Sequence, residues 1–298
     1  MVRTLKKTAR PARAVVAAAD DEHALEALSR VVKEKLVSPV LVGDAAKIKD
    51  LAASFGLPVN ADQIYDAVDV EKAAELAVQL IRDGAGDFLM KGRLETSQLL
   101  RAVVNKEKGL GTGSLMSHVA FLEIPAYHKM LVVTDGGMVP HPTLEQKKEI
   151  CRHAVTMLRS LGYEKPKVGV LAGVEKVNDK MPETLDADEL KKMHQAGLIE
   201  NCVLEGPISL DLALVKEKAV IKGYDSEVAG DVDMLLVPNL CTGNSVSKAF
   251  IETGGGKMAG LIAGAKVPIV VTSRASSAEE KYLSLVLASA SVIGEEAI

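Results

Sequence analysis

The pattern of apolar positions along the chain predicts an α/β fold. Short runs rich in Val, Leu and Ile alternate with longer segments in which apolar residues recur every three or four positions. The short runs are typical of strands buried on both faces of a parallel sheet, and the longer segments are typical of the helices that cover such a sheet. Nine strands are predicted, at residues 13–19, 39–43, 87–91, 118–124, 130–134, 168–172, 202–205, 234–238 and 268–272.

Helical spacing of Leu, Val and Ala predicts helices over residues 22–36 and 71–81. Two further helix starts carry a capping box, in which a hydroxyl residue and a Glu or Gln three positions later each accept a hydrogen bond from the other's backbone N–H group. These pairs are Thr143 with Gln146 and Ser277 with Glu280. The triple glycine at 254–256 is predicted to cap the end of a helix.

Nine strands are many for one open sheet in a chain of 298 residues. We therefore predict two doubly wound α/β domains with a cleft between them. The strands at 118–124 and 130–134 are separated only by a short turn, which predicts an antiparallel excursion at that point.

Composition narrows the classes of function. The chain has 36 basic and 40 acidic residues and a formal net charge of −4, so it lacks the basic excess that would attract a nucleic-acid backbone. No apolar run approaches the roughly 20 residues of a membrane helix, and no signal peptide is recognisable. Three cysteines without paired spacing and six histidines without ligand spacing favour a reducing compartment and predict no metal site. A cytoplasmic protein is predicted.

Candidate chemistry lies just after the strands, because ligands of doubly wound sheets collect beyond the carboxyl ends of the strands. The strand at 268–272 is followed by Ser273 and Arg274 and then by the capped helix start at Ser277. Free N–H groups at a helix start beside a guanidinium suit a phosphate or an oxyanion. The alternative is a surface arginine on a tight loop, with the serines acting only as caps.

Two further segments follow strands or precede helices. Gly92, after Lys91, would allow the backbone to turn close to a ligand, and Arg101 lies on the following helix, turned away from its buried side. A polar glycine turn precedes another helix at Thr242, Gly243 and Asn244. Ordinary turn chemistry and a solvated helix arginine are the alternatives. The chain has no nucleotide-binding glycine motif of the GxGxxG or GxxxxGK[ST] form and no GxSxG elbow.

The order and spacing of several short motifs are specific when taken together. They are Met90-Lys91-Gly92 with Thr96 and Arg101, Gly109 to Gly113 with His118, Val133 to Met138 with Pro142 to Gln146, Glu205-Gly206-Pro207 with Asp211, Pro238-Asn239-Leu240 with Thr242 to Asn244, and Thr272-Ser273-Arg274. With these motifs the chain resembles the phosphate acetyl/butyryltransferase family over nearly its whole length, and the butyryl branch most closely.

The resemblance implies a two-domain fold similar to the isocitrate and isopropylmalate dehydrogenases, in which the last strand and helix return to the first domain. The domains would be residues 1–115 with 262–298, and residues 116–261. The implied reaction is reversible transfer of a short acyl group, with butyryl favoured over acetyl, between coenzyme A and phosphate in a ternary complex. Coenzyme A would be a substrate, no cofactor would be permanently bound, and the protein would be a homodimer or a higher homo-oligomer.

The resemblance also implies roles for single residues. Arg274 would hold the phosphate and Ser273 would assist the charged transition state. Contacts to phosphate or coenzyme A would come from Arg101, Lys91, Thr242, Gly243 and Asn244. Glu280 stands where phosphate acetyltransferases have an Asp proposed as the base toward the thiol, although its place in the capping box is an alternative role.

The chain departs from the pattern of the family at two positions, and two competing functions are left open. Butyryltransferase relatives often carry Arg where this chain has Gly111 and Ser114, which affects coenzyme A binding or acyl preference. The competing functions are an NAD-dependent hydroxyacid dehydrogenase of the same architecture and a non-catalytic relative that binds acyl-CoA or phosphate. Release of free thiol from butyryl-CoA only when phosphate is present would distinguish them.

Overall fold

Alternating buried strands and amphipathic helices build two compact units. The computed structural model describes residues 10–273 and 276–295. By its contacts the chain divides into Met1–Ser114 with Ala259–Ile298, here called unit 1, and Leu115–Met258, here called unit 2. None of the helices in the described part of the chain has both the length and the apolar character that a membrane crossing requires.

The N-terminal part of unit 1 consists of β1 (Ala12–Ala17), α1 (Glu22–Lys33), β2 (Val37–Gly43), α2 (Ala45–Phe55), a 3₁₀ turn (Ala61–Gln63), β3 (Ile64–Asp66), α3 (Val70–Arg82), β4 (Phe88–Lys91) and α4 (Thr96–Val103).

Unit 2 follows with β5 (Ser117–Glu123), β6 (Leu131–Thr134), α5 (Leu144–Ser160), β7 (Lys167–Leu171), α6 (Pro182–Gln195), β8 (Val203–Ile208), α7 (Leu210–Leu214), α8 (Lys216–Ile221), β9 (Met234–Leu236) and α9 (Leu240–Glu252). The chain then enters β10 (Lys257–Ala263) and completes unit 1 with β11 (Ile269–Val270) and α10 (Ala278–Glu295).

The strands run parallel in most of each unit. In unit 1 the order is β3-β2-β1-β4-β11-β10, with β10 antiparallel to β11. In unit 2 the order is β5-β6-β9-β7-β8, with β5 antiparallel to β6. The carboxyl ends of the parallel strands therefore meet at one edge of each unit. That edge carries the loops that lead into the helices.

All nine predicted strands are present, and the predicted antiparallel pair is confirmed as β5 and β6. Two strands were missed. β3 has only three residues and none of them is buried, and β10 is partly exposed over its first half, so neither shows the apolar run of a central strand. The predicted glycine cap is confirmed, because the N–H groups of Gly254 and Gly256 donate to carbonyls in the last turns of α9.

A buried carboxylate joins the beginning of β1 to the beginning of β4. Asp87 accepts hydrogen bonds from the Arg13 side chain at 2.6 Å, the Arg13 backbone N–H at 2.7 Å and the Arg10 side chain at 2.7 Å. Burial alone would raise the pKa of Asp87, but its hydrogen bonds to Arg13 and Arg10 outweigh burial and lower the pKa to about 2. The ionised form of Asp87 therefore stabilises the folded chain.

We expect Asp87→Asn to lower the free energy of unfolding at pH 7 by about 1–2 kcal/mol, less than the full pKa shift implies because both arginines are largely exposed. Since the folded pKa is depressed, the stabilisation is present above pH of about 4 and is lost as the pH falls toward 2. Urea titrations of both proteins at several pH values measure this difference. A difference that stayed constant down to the acid limit would contradict the assignment.

Candidate active site

The carboxyl edge of unit 1 brings together two of the predicted segments. β4 and β11 are parallel neighbours, with Val270 opposite Met90, so Lys91 and the residues after β11 leave the sheet at the same edge. Lys91 is only 3% exposed, and its ammonium donates to the carbonyl oxygens of Gly92 at 3.2 Å and Leu94 at 2.9 Å. The cation therefore orders the loop between β4 and α4. Its predicted contact with phosphate or coenzyme A stays a prediction.

Gly92 packs closely against the backbone that follows β1. A Cβ atom at this position would lie 2.2 Å from the carbonyl oxygen of Ala18, and the Gly92 N–H donates to the carbonyl oxygen of Ala17 at 2.9 Å. The close approach that requires glycine is therefore to the backbone at the end of β1. The predicted close approach of a ligand to the backbone at Gly92 stays a prediction.

The predicted Ser-Arg pair follows β11. Ser273 is exposed, and its carbonyl oxygen accepts the N–H of Ser276 at 3.1 Å in a tight turn. Arg274 lies outside the described residues, so its predicted role stays a prediction. The hydroxyl of Thr272, the residue before Ser273, is buried and has no hydrogen-bond partner among the described residues.

The predicted capping box at the start of α10 is confirmed. The N–H of Glu280 donates to the Ser277 hydroxyl at 3.2 Å, and the N–H of Ser277 donates to the Glu280 carboxylate at 3.2 Å. Contacts with α1 hold this end of the helix: the Lys281 ammonium lies 3.4 Å from the Asp21 carboxylate, and the Tyr282 hydroxyl donates to Glu34 at 3.1 Å. The helix start that follows Ser273 is therefore rigidly placed at the carboxyl edge.

Arg101 lies in the last turn of α4, where its side chain is 74% exposed. Its guanidinium lies 3.3 Å from the carboxylate of Glu71, in the first turn of α3, and both residues line a groove of about 850 Å³ between these helices. An exposed ion pair of this kind contributes only about 0–1 kcal/mol. An anionic ligand could therefore displace Glu71 at little cost, which keeps the predicted binding role of Arg101 physically reasonable.

The carboxyl edge of unit 2 is organised by Asp135, which directly follows β6. The residue is 2% exposed, and its carboxylate accepts four backbone N–H groups. The donors are Gly137 at 2.7 Å, Met138 at 2.8 Å, Val139 at 3.2 Å and His118 at 3.2 Å. These bonds fix the loop after β6 and join it to the beginning of β5.

The start of α9 packs directly on this loop. A Cβ atom on Gly243 would lie 2.8 Å from the Cα atom of Gly136, and the Asn244 amide donates to the Gly136 carbonyl oxygen at 3.3 Å. Asn239 caps the helix by accepting the Thr242 N–H at 2.9 Å and the Thr242 hydroxyl at 3.0 Å. The predicted residues Thr242, Gly243 and Asn244 are thus brought together, although the Thr242 hydroxyl donates inside the cap.

His118 completes this edge and was given no role in the sequence analysis. The register of β5 against β6 places it opposite Asp135. Its buried Nδ1 atom has no hydrogen-bond partner within residues 10–273 and 276–295, and a Cβ atom on Gly137 would lie 3.0 Å from the ring. Burial lowers the pKa of His118, and the charge of Asp135 opposes that effect. The available signal was a carboxylate directly after a strand and before two glycines.

Gly111 and Ser114 lie in the last segment of unit 1 before unit 2. Gly111 pairs with Ala265, and the Thr112 hydroxyl donates to the Gly264 carbonyl oxygen at 2.8 Å. A Cβ atom on Gly111 would meet no heavy atom within 4 Å. The space for a long side chain at this position is therefore not filled by other packing. In the described part of the chain, no three His, Cys, Asp or Glu side chains form a group that could hold a metal ion.

Comparison with known proteins assigns the chain to a family. The family model described as phosphate acetyl/butaryl transferase matches residues 2–79 and 68–289. The chain belongs to this family. The predicted resemblance is confirmed, and with it the class of enzyme, a phosphate acyltransferase.

Individual relatives agree with this assignment over most of their length. The chain is 42% identical over 273 residues to a phosphate butyryltransferase of Clostridium acetobutylicum, covering 92% of this chain and 91% of the relative. It is 40% identical over 272 residues to a phosphate acetyltransferase of Thermotoga maritima, covering 91% and 92%. A branched-chain phosphotransacylase of Enterococcus faecalis has a similar structure, with a TM-score of 0.82, 30% identity, and coverage of 94% of this chain and 99% of that one. The predicted α/β fold class is confirmed.

The capping box makes a prediction about Glu280. Glu280→Gln separates the two roles that the sequence leaves open, because Gln still completes a capping box, as Gln98 and Gln146 do elsewhere in this chain, but cannot take a proton. Stability is expected to stay close to wild type, and an unchanged turnover would leave Glu280 only its role in the cap. Glu280→Ala is expected to lower the free energy of unfolding by about 0.5–1 kcal/mol, since the Ser277 N–H loses its acceptor. Steady-state rates and thermal melts measure both effects. A stable Gln variant whose turnover fell by about 100-fold or more would instead give Glu280 a role in proton transfer.

Proposed function

We propose that this chain reversibly transfers a short acyl group, butyryl first, between coenzyme A and inorganic phosphate. The observation that carries the proposal is the 42% identity to a phosphate butyryltransferase across 92% of the chain. The 40% identity to a phosphate acetyltransferase makes acetyl transfer the alternative. Coenzyme A is a substrate in this proposal, no cofactor is permanently bound, and the enzyme acts in the cytoplasm as a homodimer or a higher homo-oligomer.

The reaction needs positioning and electrostatics more than covalent chemistry from the protein. A phosphate oxygen attacks the thioester carbon, the C–S bond breaks, and acyl phosphate and the thiolate of coenzyme A form. The phosphate must be held close to the carbonyl carbon, and the tetrahedral oxyanion must be stabilised. No metal ion is part of the proposal.

The carboxyl edge of unit 1 suits the phosphate. In our proposal Arg274 and the first N–H groups of α10 hold it, because a guanidinium forks onto two oxygens and a helix start favours negative charge. The Ser273 hydroxyl donates to the oxyanion. Two observations support this arrangement. Ser273 follows β11, which pairs with β4 in the sheet. The start of α10 is held by contacts with Asp21 and Glu34, the residues that flank α1.

Coenzyme A carries phosphates and an adenosine, and four residues besides Lys91 are proposed to bind it. Arg101 is exposed, and the carboxylate of Glu71 with which it forms an ion pair is exposed as well, so a phosphate could replace that carboxylate. Thr242, Gly243 and Asn244 lie in the first turn of a 13-residue helix, whose dipole favours an anion, although the N–H groups of Thr242 and Gly243 already donate to Asn239.

The competing functions have less support. A dehydrogenase of the same architecture would be expected to resemble dehydrogenases in sequence, whereas the relatives that cover more than 90% of this chain are named acyltransferases. A non-catalytic relative would bind acyl-CoA or phosphate and release no thiol. The open space at Gly111 is compatible with weaker coenzyme A binding, and it does not by itself favour loss of catalysis.

The test measures free thiol released from butyryl-CoA, with and without phosphate, for the wild type and Arg274→Ala. The wild type is expected to release thiol only with phosphate, and faster from butyryl-CoA than from acetyl-CoA. In Arg274→Ala, kcat/KM is expected to fall about 10²–10³-fold, while the melting temperature stays that of the wild type. Arg152→Ala, at an exposed arginine on α5, is the matched control. Near-normal turnover and phosphate KM in Arg274→Ala would contradict the site, and thiol release independent of phosphate would contradict the function.

A further inference from the structure

Unit 2 carries most of the exposed large apolar side chains. Among the described residues nine such side chains are exposed, and six of them belong to two segments of unit 2, residues 174–185 and residues 215–222. They are Val174, Val177, Leu185, Val215, Val220 and Ile221. The first segment follows β7 and the second contains α8, which comes after β8, so both lie beyond the last two strands of the sheet order. Apolar surface that is gathered in this way indicates an interaction site, whereas single scattered residues do not.

Hydrogen bonds join the two segments. The Lys222 ammonium donates to the Glu175 carboxylate at 2.8 Å, so the loop after β7 lies against the end of α8. At the other end of that loop, the Asn178 N–H donates to the Thr184 hydroxyl at 2.9 Å, which connects the loop to the first turn of α6, where Leu185 lies. The two segments therefore form one surface of unit 2, here called the outer face.

The exposed valine and isoleucine at the end of α8 are carried by an ordered helix end. Gly223, with a φ of +65°, follows the helix, and its N–H donates to the Val220 carbonyl oxygen at 3.1 Å. The Tyr224 N–H donates to the Ala219 carbonyl oxygen at 2.9 Å, and the Ala219 side chain is fully buried. Val220 and Ile221 are nevertheless 68% and 84% exposed. Their exposure therefore belongs to the folded unit and does not come from a frayed helix.

The charges of the outer face indicate which partner fits it. Residues 174–185 carry three acidic and two basic side chains, whereas residues 215–222 carry one acidic and three basic side chains. A two-fold axis places the same surface on both sides of an interface, so each segment can lie on the other segment of a second copy. In that arrangement the acidic segment meets the basic segment twice, which is favourable both times. A nucleic acid or an anionic lipid surface would require a basic excess, which four acidic and five basic residues do not supply.

We propose that the outer face of unit 2 binds the same face of a second copy of this chain, in a two-fold symmetric interface. Val220 and Ile221 lie at its centre, because they are the most exposed of the six apolar side chains. An apolar centre surrounded by charged side chains is the usual composition of such an interface. The inference rests on the proposed function only in that it names the surface of the homo-oligomer included there.

The outer face lies in the same unit as the residues around Asp135 and does not include them. In the sheet order β7 separates β8 from β9, and the helix that carries Thr242, Gly243 and Asn244 follows β9. Since neighbouring strands are about 4.8 Å apart, β8 lies roughly 10 Å from β9. Substitutions at the centre of the outer face can therefore disrupt the interface while the residues proposed to bind coenzyme A stay in place.

The test measures the state of association of Val220→Glu by sedimentation velocity over a series of protein concentrations. The wild type is expected to sediment as a dimer or a larger oligomer. In Val220→Glu the dissociation constant is expected to rise at least about 100-fold, because a two-fold interface would bury the added charge once in each copy. The variant should therefore dissociate at concentrations at which the wild type is still associated. Ile221→Glu is a second variant with the same expected result.

Val68→Glu is the matched control, because it is the same substitution at a valine of unit 1 that is 69% exposed. It should keep the association of the wild type, and thermal melts check that every variant is folded. A wild type that is monomeric at all concentrations would overturn the proposal. So would association that Val220→Glu and Ile221→Glu leave unchanged, or that Val68→Glu weakens equally. Thiol release is measured on the same samples, and a wild type without phosphate-dependent release would contradict the proposed reaction whatever the sedimentation shows.

Discussion

The carboxylate of Asp135 is the constraint on which the candidate site of unit 2 depends. Its four hydrogen bonds hold three successive N–H groups of the loop after β6 and one N–H group at the beginning of β5. The loop in turn supports the first turn of α9 on one side and the His118 ring on the other. A buried charge is unfavourable unless hydrogen bonds replace its water, and here the backbone supplies all of them. The carboxylate thereby fixes the backbone conformation of a loop that contains two adjacent glycines.

Unit 1 uses the opposite charge in the same way. The ammonium of Lys91 is buried at the end of β4 and donates to two carbonyl oxygens of the loop that follows. In each unit a charged residue at the end of a parallel strand binds the backbone of the next loop. A ligand edge built like this keeps its shape before any substrate arrives, and such preorganisation is what electrostatic catalysis requires. Both Lys91 and Asp135 thus form hydrogen bonds with the backbone of their own chain.

Much of the fold could be predicted from local patterns, because buried parallel strands and helix caps depend on residues that are close in sequence. The capping boxes at Thr143 and Ser277 are cases in point. β3 and β10 were missed because short or half-exposed strands are defined by their neighbours and lack an apolar run of their own. A glycine in the sequence shows that something comes close without showing what, and at Gly92 one such neighbour is the backbone of Ala17 and Ala18. Neither the ion pair of Arg101 with Glu71 nor the position of His118 beside Asp135 could be read from spacing, because both join residues from different elements.

The account is tested most directly by hydrogen exchange of single backbone amides in Asp135→Asn. An Asn side chain has one oxygen that can accept and one NH₂ group that cannot, so it can serve only two of the four N–H groups. The two shorter bonds, from Gly137 and Met138, should be kept, while the amides of His118 and Val139 should lose protection and the other strands of unit 2 should keep theirs. Protection that is unchanged at all four amides, or lost evenly throughout unit 2, would contradict the claim that this carboxylate organises the site.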